Sequence, residues 1–261
     1  MNIILGVLLA AITVLLTVRF RALKFSAAMF AGILITVISY CGGISAVLIL
    51  ICAYFSVVLL EHALKDAAAP LKDVNEKQGA RDFVQVFANG IAAVFAIVLF
   101  KWTENEIFFL TYIIGVAEAL ADSVASDVGV LSGTVPRDIC RFKKVPVGMS
   151  GGVTPLGFLA SFICCCAMAI PVGLLLKIGI KAFLILLLAP FFGCVLDSVF
   201  GSTVQAKYQC TVCRKYTEKR SHCGKETIRI GGFSIIDNCR VNLISNCATC
   251  VIASLILAAC G

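Results

Sequence analysis

Four carboxylates inside apolar segments are the residues most able to do chemistry in this chain. Glu118, Asp122 and Asp127 lie in one segment, and Asp197 lies in another. At 100° per residue, Glu118 and Asp122 share one helical stripe and Asp127 flanks it. Ionisable groups at membrane depth are costly and usually functional, and neighbouring carboxylates repel one another unless a cation lies between them. The spacing therefore favours a divalent metal at Glu118 and Asp122, whereas Asp127 also fits a solvated helix end.

A short repeat relates the two acidic segments. Asp122-Ser-Val and Asp197-Ser-Val both stand near the end of an apolar run, and Gly193 and Gly201 flank the second aspartate at four-residue spacing. Small residues let helices or a ligand approach closely. We expect the two acidic helix ends to face each other across a glycine-lined gap on one side of the membrane.

A basic loop over residues 131–152 offers groups that bind phosphate. Arg137, Lys143 and Lys144 precede a glycine cluster at 148–152, just ahead of the next apolar segment. Glycines that open a helix leave backbone N–H groups free at a positive dipole end, which is a general anion site. The sequence lacks the G-x-x-x-x-G-K-[ST] pattern of a P-loop. Beside the acids, the cluster predicts a metal–phosphate pocket; taken alone, it also fits a simple turn.

Polar residues at the ends of two further apolar segments lie on the same predicted side. Gln85 and Asn89 share a helix face, where they can hydrogen-bond a base, sugar or phosphate, or bridge two helices. Asp237 and Asn242 stand where the last apolar segment begins. We expect both pairs to border the pocket.

The loop at 207–238 carries potential metal ligands. It contains Cys210-Thr-Val-Cys213, followed after eight residues by His222-Cys223. Three thiols and an imidazole supply a tetrahedral zinc site, and a reducing compartment argues against disulfides. A structural zinc is the prediction and a metal-free loop is the alternative. Most of the other cysteines lie in or beside apolar runs, where small packing residues are expected.

Long apolar helices must position these side chains. Of the 261 residues 60% are hydrophobic and 14% charged, with a mean hydropathy of +1.01, whereas soluble domains are about a quarter charged. This excludes a soluble enzyme, a disordered protein and a secreted disulfide scaffold. Apolar runs of roughly membrane-spanning length occur at about 2–18, 22–40, 43–62, 83–101, 106–130, 153–176, 180–206 and 240–260. The sequence predicts an all-α transmembrane bundle of about eight spans, or seven, forming one membrane domain over 1–261.

The basic residues predict the orientation of the bundle. All but three of the 22 Lys and Arg residues fall in alternate connections, the exceptions being Lys101, Lys177 and Lys181. The positive-inside rule then places the loops at 131–152 and 207–238 in the cytoplasm. The net charge of +7 is thus mostly a matter of topology and not a sign of nucleic-acid binding. A prokaryotic cell membrane is the simplest location, with an organelle membrane as the eukaryotic alternative.

These motifs, in this order, resemble the integral-membrane family that includes plant phytyl-phosphate kinase and transmembrane protein 19. The resemblance rests on the blocks at 122–129, 146–153, 197–207 and 237–242 and on the Cys/His loop. The D-x2-A-x3-G spacing at Asp122, Ala125 and Gly129 is more distantly similar to the nucleotide-site motif of CTP-dependent dolichol and phytol kinases.

The resemblance implies phosphoryl transfer from CTP to an isoprenoid monophosphate, such as phytyl or geranylgeranyl phosphate, whose tail lies between helices. It implies that Asp122 and Asp197, with Glu118 or Asp127, hold Mg²⁺. The nucleotide- and phosphate-binding set that it implies comprises Gln85, Asn89, Gly129, Arg137, Lys143, Lys144, Gly148, Ser150, Gly151, Gly152, Ser198, Gln205, Asp237 and Asn242.

Two other functions fit parts of the same pattern. Paired acidic helices with a parallel repeat also suit a transporter or channel for a cation or a phosphorylated solute, although a transporter site belongs near the bilayer midplane and these motifs cluster at one face. A cytidylyltransferase that forms a CDP-lipid would use the same pocket, with attack at the α-phosphate.

Overall fold

The computed structural model describes residues 3–64 and 80–260 of the chain. Seven α-helices occupy most of this part, and six of them are long and apolar enough to cross a membrane. Their bounds are α1 Ile3–Arg19, α2 Phe25–Ala63, α3 Phe83–Thr103, α4 Glu106–Gly129, α5 Pro155–Leu176, α6 Ile180–Thr203 and α7 Asn238–Cys260.

The predicted second and third spans fall together on α2. Gly43 interrupts this helix with a positive φ of 75° and a ψ of −170°, a conformation that glycine adopts without steric cost. Tyr54 in the second arm packs against the buried cluster of Leu23, Ala27 and Ala28, so the chain turns back at Gly43 and the second arm returns past the first. The predicted count of eight spans is not confirmed, because one broken helix stands where two were expected.

Side-chain caps fix where several helices begin. At the start of α3, the Asp82 carboxylate accepts from the Gln85 backbone N–H at 3.1 Å, and the Gln85 side chain accepts from the Asp82 N–H at 3.0 Å, which is a reciprocal capping box. Thr154 caps α5 by accepting from the Gly157 N–H at 3.1 Å. The Thr154 hydroxyl also donates to the Gly129 carbonyl at 3.3 Å, so it joins the end of α4 to the start of α5.

Helix α4 is the centre of the bundle. Its residues from Phe109 to Ala121 are nearly all buried, and it contacts α2, α3, α5, α6 and α7. Gly115 allows α7 to approach, since a β-carbon there would lie 2.8 Å from the Cys250 Sγ. The Tyr112 hydroxyl donates to the Ala46 carbonyl at 2.7 Å and ties α4 to α2. Three of the four predicted acids, Glu118, Asp122 and Asp127, thus stand on the most enclosed helix.

Six short strands correct the all-α prediction. Strands β1 Arg137–Asp138 and β2 Gly152–Val153 pair as an antiparallel hairpin. The remaining strands are β3 Lys207–Cys210, β4 Tyr216–Thr217, β5 Ser221–His222 and β6 Lys225–Gly231, and they form an antiparallel sheet in the order β4-β3-β6-β5. We call this sheet the ribbon. Thr, Tyr and Ile recur along these segments and favour strands, a signal that the hydropathy reading passed over.

One end of the bundle collects the predicted motifs. The Lys24 N–H donates to the Arg81 carbonyl at 2.9 Å, so α2 and α3 begin side by side there. Helices α4 and α6 end at the same place, where the two-stranded hairpin and the ribbon cover them. We call this the polar end.

Candidate functional site

Three carboxylates from two helices converge beneath the polar end. Glu118 on α4 is almost completely buried, with 3% of its surface exposed, and Asp197 on α6 is partly buried. The Ser245 hydroxyl of α7 lies 3.4 Å from Glu118 Oε1 and 3.0 Å from Asp197 Oδ2. Asp122, one turn beyond Glu118 on α4, interacts electrostatically with both acids. We call these three residues the acidic cluster.

Helix α7 holds Glu118 in place. The Asn246 side-chain amide donates to Glu118 Oε2 and also to the Gly115 carbonyl at 2.9 Å. Gly193 on α6 leaves room for the glutamate, because a β-carbon there would lie 2.6 Å from Glu118 Cγ. A glycine of α6 and a serine and an asparagine of α7 therefore surround one buried carboxylate of α4.

The acidic cluster has more hydrogen-bond acceptors than the Ser245 hydroxyl can serve. Ser245 carries one donatable proton, yet Glu118, Asp197 and the Asn242 carbonyl all lie within 3.4 Å of it. Arg81 at the start of α3 acts electrostatically on Asp122. Carboxylate oxygens are the ligands that Mg²⁺ prefers, so the chemistry of the donor set suits a divalent cation. In the described part of the chain, however, only the Cys/His group has at least three ligand atoms within 4.8 Å of one another.

Asp127 and Gly129, which were predicted beside the cluster, occupy the last turn of α4. Asp127 is half-buried and projects from a different face than Asp122. Gly129 packs against α5, where a β-carbon would lie 3.3 Å from the Thr154 hydroxyl. Ser198 follows Asp197 and is partly buried.

The glycine cluster is not the first turn of a helix, which corrects the prediction. Helix α5 begins at Pro155, after β2, and the N–H of Gly152 donates to the Met149 carbonyl at 2.9 Å. Gly151 has a φ of +79°, and a β-carbon on it would overlap the Ser202 backbone at 2.5 Å. Gly148 also has a positive φ, of 84°. These glycines let the hairpin turn and pack closely on the end of α6.

An acidic side chain of the ribbon already binds one of the predicted phosphate-binding amides. Glu218 is buried, and its Oε1 accepts from the Ser150 N–H at 2.7 Å. The Ser150 hydroxyl lies 3.5 Å from Asn238 Oδ1 at the start of α7. In this structure the partner of the amide is therefore a carboxylate of the same chain.

A second buried acid, Asp138, joins the hairpin to α6 and the ribbon. It accepts from the Ser202 hydroxyl at 2.7 Å and from two backbone amides, and it lies 3.8 Å from Lys207 Nζ. Burial alone would raise the pKa of Asp138, but the hydrogen bonds from Ser202, Arg141 and Cys140 lower it below its usual value. Burial also lowers the pKa of Lys207, against the opposing effect of Asp138.

The predicted basic residues form the outer rim of the polar end. Arg137, Lys143 and Lys144 are all exposed, and the Arg137 guanidinium donates to the Phe142 carbonyl at 3.0 Å. They are therefore available to charged groups arriving from the aqueous side.

The predicted amides and the last acid occupy three different places. Asn242 on α7 donates to Asn89 Oδ1 on α3 at 3.1 Å, so this pair does bridge helices. Gln85 belongs to the capping box of α3. Gln205 is buried beneath the ribbon with 2% of its surface exposed, and it borders a small polar cavity with Asp237 and Glu218.

The four predicted zinc ligands come together in the ribbon. The ligand atoms of Cys210, Cys213, His222 and Cys223 all lie within 4.8 Å of one another. Backbone N–H groups of Val212 and Cys213 donate to the Cys210 sulfur at 3.3 and 3.4 Å. These bonds, that from Cys213 foremost, lower the pKa of Cys210 to about 6, whereas the neighbouring thiols raise the pKa of Cys223 to about 11. The donor set and its spread fit a tetrahedral zinc ion.

Sequence reasoning left four residues of the site unassigned: Asp138, Glu218, Ser245 and Asn246. The two on α7 carried a usable signal, because Asn242, Ser245 and Asn246 recur at helical spacing inside an apolar run and so share one face. Asp138 and Glu218 lie in loops whose pairing no periodicity reveals.

Comparison with known proteins gives the family. The family described as Integral membrane protein DUF92 matches residues 8–250. Protein PGR of Arabidopsis thaliana is 28% identical over 285 aligned positions, covering 97% of this chain and 96% of that protein. An uncharacterized membrane protein of Methanocaldococcus jannaschii is 29% identical over 164 positions, covering 61% of this chain and 66% of that one. No solved structure matches significantly. The chain belongs to the DUF92 family of integral membrane proteins.

Proposed function

We propose that this DUF92 member is a membrane-embedded kinase that transfers a phosphoryl group from CTP to an isoprenoid monophosphate, forming the diphosphate. The observation that carries the proposal is the acidic cluster: one buried and two partly buried carboxylates converge beneath one end of an apolar bundle. A site of that kind suits a reaction between a water-soluble triphosphate and a lipid phosphate. The resemblance described above supplies the nucleotide and the acceptor class.

The acidic cluster is the proposed Mg²⁺ site. Asp122 and Asp197 are the main ligands, and Glu118, held by Asn246 and Ser245, keeps the local field negative. When bound, Mg²⁺ neutralises charge on the phosphate oxygens, and catalysis of phosphoryl transfer is largely positioning and charge neutralisation. An acceptor phosphate oxygen is already a nucleophile, so no general base is assigned.

The rim and the hairpin form the proposed triphosphate side of the site. Arg137, Lys143 and Lys144 are exposed there and attract anions from water. The Ser150 N–H is occupied by Glu218, so a phosphate oxygen at that amide must displace the carboxylate. Binding of CTP is therefore expected to move the ribbon relative to the hairpin.

A structural zinc in the ribbon completes the proposal. Four protein ligands leave no open coordination position for substrate, so the ion acts by folding the sheet that carries Glu218 and covers Gln205. The polar end is proposed to face the cytoplasm, because the basic residues concentrate in its loops.

Product identification tests the proposed reaction. The purified protein is incubated with CTP labelled in the γ-phosphate, Mg²⁺ and a panel of polyprenyl monophosphates, and the lipids are separated. Label in a lipid diphosphate supports the kinase. In a parallel reaction with CTP labelled in the cytosine ring, label in the lipid indicates cytidylyl transfer. The Asp122→Asn variant serves as the control, and a product that forms equally well with this variant contradicts the assigned site.

A further inference from the structure

A largely apolar cavity lies on the other side of the acidic cluster from the ribbon. It has a volume of about 140 Å³ and is enclosed by α1, both arms of α2, α3 and α4. Its wall follows α3 from Arg81 to Val94, which is about 20 Å at 1.5 Å per residue. The proposed function, as argued from the cluster alone, does not use this space.

Four of the five hydroxyls in the cavity wall are turned onto the backbone. Thr13, Thr17, Tyr112 and Ser123 all border the cavity, and each donates to a helix carbonyl at 2.7 to 3.1 Å. Most of the other lining side chains are aliphatic, such as Leu34 and Ile38. A cavity with such walls favours an apolar occupant over water.

Polar groups are concentrated where the cavity meets the polar end. Arg81, Gln85 and Asn89 border it along the first two turns of α3. Asn89 Oδ1 accepts from Asn242, so its amide N–H groups are the atoms left to donate elsewhere. The Arg81 guanidinium acts electrostatically on Asp122. An anionic group placed there lies next to the acidic cluster.

We propose that this cavity binds the head-proximal isoprene unit of the acceptor lipid, with the lipid phosphate held by Arg81 and Asn89 beside Asp122. The assignment rests on the proposed function for the identity of the lipid and on the cavity for its position. The volume is close to that of an engineered cavity of about 150 Å³ that binds benzene, which has six carbons, and an isoprene unit has five. The rest of the chain lies outside the cavity, so the first unit is the one that the protein selects.

A filling substitution tests the position. Ala31 lines the cavity from the first arm of α2, away from the acids, and Ala31→Leu adds three carbons to it. Each carbon excluded costs about fourfold in affinity, so geranylgeranyl phosphate should bind about 60-fold more weakly. Ala11→Leu, on the exposed face of α1, is the matched control. Binding is measured on the full chain in nanodiscs without nucleotide, after size-exclusion and thermal unfolding confirm that each variant is folded.

A head-group substitution and a photoprobe complete the test. Arg81→Gln should weaken binding of geranylgeranyl phosphate at least about tenfold, the value of a charge-assisted hydrogen bond, and leave geranylgeraniol unaffected. A geranylgeranyl phosphate carrying a diazirine on its first isoprene unit should label wild-type peptides from α2 or α3.

The outcomes separate this assignment from the proposed reaction. Wild-type protein that binds the lipid phosphate in the cavity but transfers no phosphoryl group overturns the kinase and keeps the assignment. Equal affinity in Ala31→Leu and Ala11→Leu, label confined to α5 and α6, or no binding of geranylgeranyl phosphate at all overturns the assignment.

Discussion

Removing one charge from the acidic cluster should stabilise the metal-free protein and abolish its response to Mg²⁺. Glu118 Oε1 and Asp197 Oδ2 both contact the Ser245 hydroxyl, at 3.4 and 3.0 Å, so the two oxygens are at most about 6.4 Å apart. When both groups are ionised, their repulsion at an effective dielectric constant of 20 is about 2.6 kcal/mol. Asp197→Asn removes this repulsion and preserves the shape of the side chain.

The assay is thermal unfolding in detergent with and without Mg²⁺, alongside turnover. With both groups ionised, Asp197→Asn should raise the free energy of unfolding of the metal-free protein by about 2.6 kcal/mol or more. It should also lose the stabilisation that Mg²⁺ gives the wild type and have no activity. Glu104→Gln, an exposed carboxyl-to-amide change at the opposite end of the bundle, should alter none of these. An Asp197→Asn protein that is less stable than wild type and still stabilised by Mg²⁺ would refute the account of the cluster.

Three further changes probe the rest of the polar end. Cys213→Ser should reduce the zinc content from about one ion per chain to none and lower the unfolding temperature, because zinc binding is coupled to folding. Cys52→Ser in α2 is the control. Wild-type protein that contains no zinc after purification contradicts the site. Asp138→Asn should lower the free energy of unfolding by about 2 kcal/mol, because it weakens the charge-assisted hydrogen bonds to this side chain. The folded-state pKa of Asp138 is lowered, so its contribution to the free energy of unfolding is complete above the unfolded pKa of about 3.9 and is lost as the pH falls through the lowered value. The stability difference between wild type and Asp138→Asn should therefore be constant from about pH 5 to 8. A difference that varies in this range assigns the effect to another group. An impermeant thiol reagent on the outside of intact cells should label Cys260 and spare the exposed Cys140 and Cys213; labelling of Cys140 and Cys213 on opposite sides contradicts the site as a whole.

Hydropathy and spacing were sufficient to predict the membrane bundle and much of the acidic cluster. Long apolar runs admit few structures other than membrane helices. A carboxylate within such a run is costly in free energy at membrane depth and therefore indicates a functional site. The repeat predicted that Asp122 and Asp197 would face each other, whereas the structure brings Asp197 and Glu118 to one hydroxyl, that of Ser245. The break at Gly43 falls between two apolar runs that the sequence separated, and it lies in a Gly42-Gly43 pair, a dipeptide that favours turns.

The polar end shows where sequence reasoning stops. The ribbon and the hairpin are short, and their strands pair across turns that composition does not specify. Glu218 occupies an amide predicted for phosphate because β3 and β4 carry it over the hairpin, a placement that depends on three-dimensional packing alone. Gly148 and Gly151 were recognised as special positions, but the reason is positive φ and close packing on Ser202, not an open helix end.

The two sides of the acidic cluster suggest why the chain combines a membrane bundle with a ribbon. The cavity on the α1–α4 side has apolar walls and Arg81 at its edge, which suits a lipid phosphate. The hairpin on the α6 side has exposed basic side chains and a backbone N–H, that of Ser150, which is bound by Glu218. These groups suit a soluble triphosphate. Arg81 on the first side acts electrostatically on Asp122, and Glu218 on the second side acts on Asp197. A cation bound between the two aspartates, as in the proposed function, would be placed to contact a phosphate from each side and so to bring the lipid and nucleotide phosphates together.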